Sequence, residues 1–134
     1  MKKVYISGPY SAEQEYDLIH NISRARKEAA YWWILGAAVF CPHLNSAFMG
    51  GLLPKEQFLS ADLDFLRMCD IAVFLPGFRL SEGAAQEHRV ARQEGLALVY
   101  CTPVGGYQDK DKNHLSISDL RALICPSSDG ASSS

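Results

Sequence analysis

The chain offers little to metal or redox chemistry. Its four cysteines, Cys41, Cys69, Cys101 and Cys125, stand far apart among 134 residues and form no C-x-x-C pair, so neither a zinc site nor a redox dithiol is signalled. They read as buried, reduced thiols, which suits a cytoplasmic protein, and no metal or cofactor is expected. Long apolar runs are also missing. The first one stops at Gly8-Pro9, too soon for a signal peptide or a membrane span. Nor does one sign of charge dominate: 13 Lys+Arg face 15 Asp+Glu, a net charge of −2 that gives neither nucleic acid nor an anionic membrane an electrostatic handle. There is no internal repeat. What remains is an ordinary globular composition, 48% hydrophobic and 21% charged, in a length that supports one core and not two. A small molecule is the expected partner.

Along the chain, strands and helices alternate. Val4-Tyr5-Ile6 is a short β-branched and aromatic run that meets a turn at Gly8-Pro9. Ser11 with Gln14 has the form of a capping box, and Ile22, Ala25, Ala29 and Trp33 recur at helical spacing until Gly36. Trp32 and Trp33 read as core or interface. Residues 37–41 form a second strand ended by Pro42, with His43 just beyond and a long loop over 44–53. Residues 54–68 are one helix or two, with Ser60 able to cap a fresh turn. Residues 71–75 make an uninterrupted apolar strand, 83–94 a helix and 96–101 a fourth strand. A polar stretch over 102–114 and a short helix over 115–124 follow. These elements predict a single α/β domain over 1–125, a doubly wound, mostly parallel sheet with helices on both faces, flavodoxin-like or Rossmann-like. Residues 126–134 form a Ser/Gly-rich tail expected to be disordered. Ligands bind such sheets at the carboxyl edge of the strands, so Gly8, His43, Pro76 to Glu82 and Thr102 are expected to line one pocket.

Two carboxylates stand out on helical faces. Ala84, Glu87, Ala91 and Glu94 share one stripe, and the small alanines suggest close packing on the sheet, which turns Glu87 inward near the ligand edge. Asp62 has Phe58 and Phe65 one turn to either side, an apolar setting in which a carboxyl keeps its proton, as a general acid must. Two partly buried carboxylates reaching one pocket from separate helices fit glycosyl transfer. The plainer reading of Asp62 is a cap on the turn begun by Ser60.

The words VYISGPY, FCPH, ADLDFL followed by CDIAVFLPG, and S-x-G-x-x-x-E-x-x-x-A-x-x-x-G, in this order over residues 4–101, resemble the nucleoside 2-deoxyribosyltransferase superfamily. That superfamily also holds 2′-deoxynucleoside 5′-monophosphate N-hydrolases. The resemblance implies an N-glycosidase of deoxynucleosides or deoxynucleotides in which Glu87 is the nucleophile, Asp62 serves the departing base and Tyr5 stands beside the nucleophile. It implies that Gly8, with Pro9 next to it, and Gly83 let backbone approach the ligand, and that His43 lies in the pocket. Ser81, where the nucleoside-specific enzymes carry aspartate, tilts the substrate toward a monophosphate. The hydrolases place an arginine soon after the first glycine; here Pro9-Tyr10-Ser11 stands there, and Arg79 on the loop after strand three is the candidate substitute. Members also assemble as homodimers or larger homo-oligomers, which would engage Tyr31, Trp32 and the long loop. The alternatives left open are base exchange instead of hydrolysis, and a nucleotide-sensing module without chemistry.

Overall fold

A computed structural model describes residues 1–125; the tail expected over 126–134 lies outside them. The elements are β1 (Lys3–Ser7), α1 (Glu15–Leu35), β2 (Ala38–Phe40), α2 (Pro42–Asn45), α3 (Lys55–Arg67), β3 (Ile71–Phe74), α4 (Glu82–Gln93), β4 (Ala97–Cys101), β5 (Tyr107–Gln108) and α5 (Ile117–Ile124), with a 3₁₀ turn over Phe78–Leu80. The five strands form one sheet in the order β2-β1-β3-β4-β5. The first four pair in parallel, and β5 runs antiparallel to β4. This is the doubly wound α/β architecture expected.

Each face of the sheet has its own core. Val4, Ile6, Val73, Leu75 and Val99 pack with Ala25, Ala29 and Trp32 of α1 and with Leu120 and Ile124 of α5. On the other face, Tyr5, Ala72 and Phe74 pack with Leu66 of α3 and with Ala84 and Ala91 of α4. The chain leaves β1 toward β2 on one side and places β3 on the other, so a crevice opens at the carboxyl ends of β1 and β3. Gly8 seals its floor: a Cβ there would meet the Leu75 side chain at 2.8 Å. That contact gives Gly8 a packing reason to lack a side chain, independent of any ligand.

Several local expectations change. The Ser11–Gln14 capping box does not form; α1 starts at Glu15 with Gln14 as an N-cap that makes no side-chain bond. Asn21 Nδ2 donates to the Tyr10 carbonyl at 3.1 Å and ties the preceding segment to the side of α1 instead. The inward stripe of α1 ends on Trp32, fully buried, while Trp33 is 55% exposed, because two turns beyond Ala25 fall at 32. α3 runs unbroken through Ser60, which therefore caps nothing, and Asp62 sits in mid-helix. The cysteines are all free, yet only Cys41 is buried, and Cys125 is exposed. Trp32 lies inside the domain and is not placed for the expected contact between subunits, whereas Tyr31 is half-buried and stacks on Tyr107 at 5.8 Å. The polar stretch after β4 hides β5, whose two residues carry no alternating pattern to reveal it.

Candidate active site

The crevice is a cleft of about 1280 Å³, larger than the roughly 300–1,000 Å³ of an ordinary small-molecule site. Its walls come from the segment after β1 (Gly8 to Ser11), from Pro42 and His43 after β2, from the turn at Pro76-Gly77 after β3, and from α3 and the first turns of α4. Gly8, Pro9, His43, Asp62, Ser81, Gly83 and Glu87 all line it, whereas Thr102 does not. Thr102 is engaged elsewhere: its Oγ1 accepts from the Gly106 amide at 2.8 Å, holding the tight turn into β5.

Glu87 reaches the cleft because α4 lies close on the sheet. Ser81 caps the helix, its hydroxyl accepting from the Ala84 amide at 3.4 Å, and Ala84 and Ala91 are buried on the stripe that carries Glu87. The glutamate is 7% exposed. Both of its oxygens are held: Tyr5 Oη donates to Oε2 at 2.7 Å and Ser7 Oγ to Oε1 at 2.6 Å. Residues 5 and 7 share a face of β1, so one strand supplies both donors. The Glu87 carboxyl is raised to about 7, the net of burial, which pushes it up most, the two hydroxyls, which pull it down, and Asp62, which pushes it up again. Burial alone pushes Asp62 up to about 6. Tyr5 is held well above its ordinary value, first by burial and then by the charge of Glu87, so it remains a donor throughout.

This has a measurable consequence for stability. Raising Glu87 from 4.5 to about 7 means that its contribution is present in full below the ordinary carboxylate range and is lost as pH rises through about 7. The loss has an upper bound of about 3 kcal/mol. Glu87→Gln is therefore expected to raise the melting temperature at pH 8 by roughly 5–10 °C and to match the parent near pH 4. A Gln variant that melts below the parent at pH 8 would contradict a buried, strained charge at this position.

The remaining expected residues divide. His43 is 3% exposed; its Nε2 bonds the Pro9 carbonyl at 2.8 Å, and its ring meets Tyr10 edge-on at 5.5 Å. Burial lowers its pKa against the pull of that carbonyl, with Arg24 adding to the lowering, so the ring is neutral. The Nε2 proton then goes to Pro9, and Nδ1 is an acceptor without a partner. Cys41, two residues before His43, is pushed by burial to about 11 and holds its proton at neutral pH. Gly83 has ordinary contacts and no positive φ. Arg79 does not line the cleft: its guanidinium lies over the Phe78 ring at 4.7 Å and near that of Tyr100 at 6.0 Å. A planar cation next to two rings finds that stacking closer to hand than the pocket. Ser7 and Arg24 escaped sequence reasoning. Ser7 was legible two residues after Tyr5; Arg24 lies beside the apolar stripe of α1 and carries no local mark.

A profile described as "Domain of unknown function (DUF4406)" matches residues 2–100. The chain belongs to the DUF4406 family. No curated protein matches this DUF4406 chain in sequence. Among solved structures it is similar to a 2-deoxyribosyltransferase from the psychrotolerant bacterium Bacillus psychrosaccharolyticus, with a TM-score of 0.59 and 21% identity over 89% of this chain and 90% of that one. It is also similar to a 2-deoxyribosyltransferase from Leishmania mexicana, with a TM-score of 0.56 and 16% identity over 75% of this chain and 64% of that one. A conserved protein from Enterococcus faecalis V583 matches with a TM-score of 0.57 and 22% identity over 92% and 74%. The likeness read from the sequence words is thus met at the level of the fold. Among the described residues, no helix of this DUF4406 protein is long and apolar enough to cross a membrane.

Proposed function

We propose that the protein cleaves the N-glycosidic bond of a 2′-deoxynucleoside 5′-monophosphate through a covalent glutamyl-deoxyribosyl intermediate. The observation that carries this reading is Glu87: a cleft-lining carboxylate, nearly buried, held on both oxygens by Tyr5 and Ser7, with Asp62 on the facing helix. Two hydroxyl donors fix the side chain in one orientation and favour its ionised form, as a nucleophile requires. A Glu87 oxygen attacks C1′ as the C1′–N bond breaks and its electron pair leaves with the base, which takes the proton of Asp62. Asp62, now a carboxylate, removes a proton from water as the water oxygen bonds C1′ and Glu87 departs as carboxylate. Proton count and charge return to the start, and the sugar keeps its configuration. Ser81 supports the monophosphate: its hydroxyl accepts from Ala84, which leaves its own proton available to a phosphate oxygen.

Base exchange is the second reading, favoured by the two structural neighbours described as 2-deoxyribosyltransferases. There a free base, not water, resolves the ester. Incubation with the four common deoxynucleoside monophosphates, with and without a free acceptor base, separates the two. Release of deoxyribose 5-phosphate independent of acceptor supports hydrolysis; base exchange without free sugar phosphate removes it in favour of transfer.

A further inference from the structure

Resting on the N-glycosidase reading, we propose that Arg24 is the anion anchor of the cleft, the residue that takes the 5′-phosphate of the substrate. Arg24 projects from α1, across the sheet from the helix that carries Glu87, and lines the same cleft. Its Nε is shut away from solvent and has no hydrogen-bond partner. The carboxylate one turn on, Glu28, makes no ion pair with it; one Glu28 oxygen accepts from Trp32 Nε1 at 2.9 Å and from the Tyr107 hydroxyl at 2.8 Å. Among the described residues both ion pairs belong to Arg67, which bonds Asp64 and Glu94. The other two cations on the cleft wall, Lys55 and that same Arg67, are exposed. Among the described residues, Arg24 is therefore the half-buried cleft cation without an ion-pair partner.

A partly desolvated guanidinium without an ion-pair partner is unfavourable, and an anion delivered to the cleft relieves it. Its planar fork matches two phosphate oxygens at once. His43 beside it does not compete for the anion: Nδ1 is an acceptor that takes a guanidinium N–H or a sugar hydroxyl and repels phosphate oxygens. C1′ and the C5′-linked phosphate branch from opposite sides of the sugar's ring oxygen, so separate side chains can meet them. Glu87 and Arg24 belong to helices on opposite faces of the sheet.

The test compares the parent with Arg24→Met, Arg24→Lys and, as a control, Lys27→Met, an exposed cation of α1 outside the cleft. Base release is measured from 2′-deoxycytidine 5′-monophosphate and its three counterparts and from the matching deoxynucleosides, and the melting temperature is read with and without each compound. Arg24→Met is expected to lower kcat/KM for the best monophosphate by on the order of 10²-fold while changing that for the deoxynucleoside less than about threefold. Arg24→Lys, which keeps the charge and loses the fork, falls between, and Lys27→Met stays near the parent. Equal losses on both substrate classes, or an unchanged monophosphate rate in Arg24→Met, would overturn the assignment. If the parent releases no base, the catalytic reading fails on its own. The anchor is then judged by binding: a monophosphate-induced rise in melting temperature that Arg24→Met abolishes supports it, and no such rise in the parent overturns it. If Arg24→Met does not fold, Arg24→Lys supplies the same comparisons.

Discussion

Glu87→Ala is expected to lower base release by at least about 10⁴-fold while leaving the fold and ligand binding in place. The size follows from the role, since without a nucleophile the covalent route closes and only positioning by the cleft remains. The fold survives because Glu87 sits at the edge of an open cleft, where water can reach the Tyr5 and Ser7 hydroxyls once the carboxylate is gone. Steady-state base release from the preferred monophosphate and the ligand-induced shift in melting temperature check the two halves of this expectation. Ordinary turnover in Glu87→Ala removes the assignment. Loss of turnover together with loss of ligand binding would make Glu87 a binding group.

Asp62→Asn is expected to lower kcat by roughly 10²–10⁴-fold, the usual range for removing a general acid. The pH profile tells this apart from a structural effect. Base departure needs Glu87 ionised and Asp62 protonated, so kcat/KM falls on the acid side as Glu87 takes a proton and on the alkaline side as Asp62 loses one. With the two groups pushed to about 7 and about 6, the profile is a narrow bell with its maximum between those values. In the empty cleft the order is inverted relative to the roles, and the last proton prefers Glu87. Moving it to Asp62 requires about 1.4 kcal/mol for the one-unit difference, small beside the 8 kcal/mol or more by which enzymes lower their barriers. Positive charge growing at C1′ favours that transfer. Asp62→Asn should abolish the alkaline fall and leave the acid one. A full bell with undiminished kcat in that variant would contradict the assignment.

Much of this architecture was legible because the sheet is buried on both faces. The apolar run of β3 and the alanines of α4 are written into local pattern, and Glu87 was found as a carboxylate on a stripe too small and apolar to face water. Tyr5 came from resemblance, yet Ser7 needed only the two-residue period of a strand applied to a polar residue in an apolar run. What stayed hidden depends on tertiary arrangement. Arg24 looks like one more helical arginine until Glu28 is seen bonded to Trp32 and Tyr107, and Arg79 attracts attention until its guanidinium is found over Phe78. Thr102 was placed by a rule about strand ends, but the turn into β5 draws it away from the cleft. The start of α1 went to Gln14 because Asn21 holds Tyr10, a contact between residues eleven apart that no capping pattern encodes.

The measurement closest to the central claim is mass spectrometry of the intact protein, acid-quenched during turnover of a deoxynucleoside monophosphate, followed by fragmentation. The mechanism predicts an added mass of one dehydrated deoxyribose phosphate, located on Glu87 and missing in Glu87→Ala. Steady base release with no such adduct at any quench time, or an adduct on another residue, would contradict it.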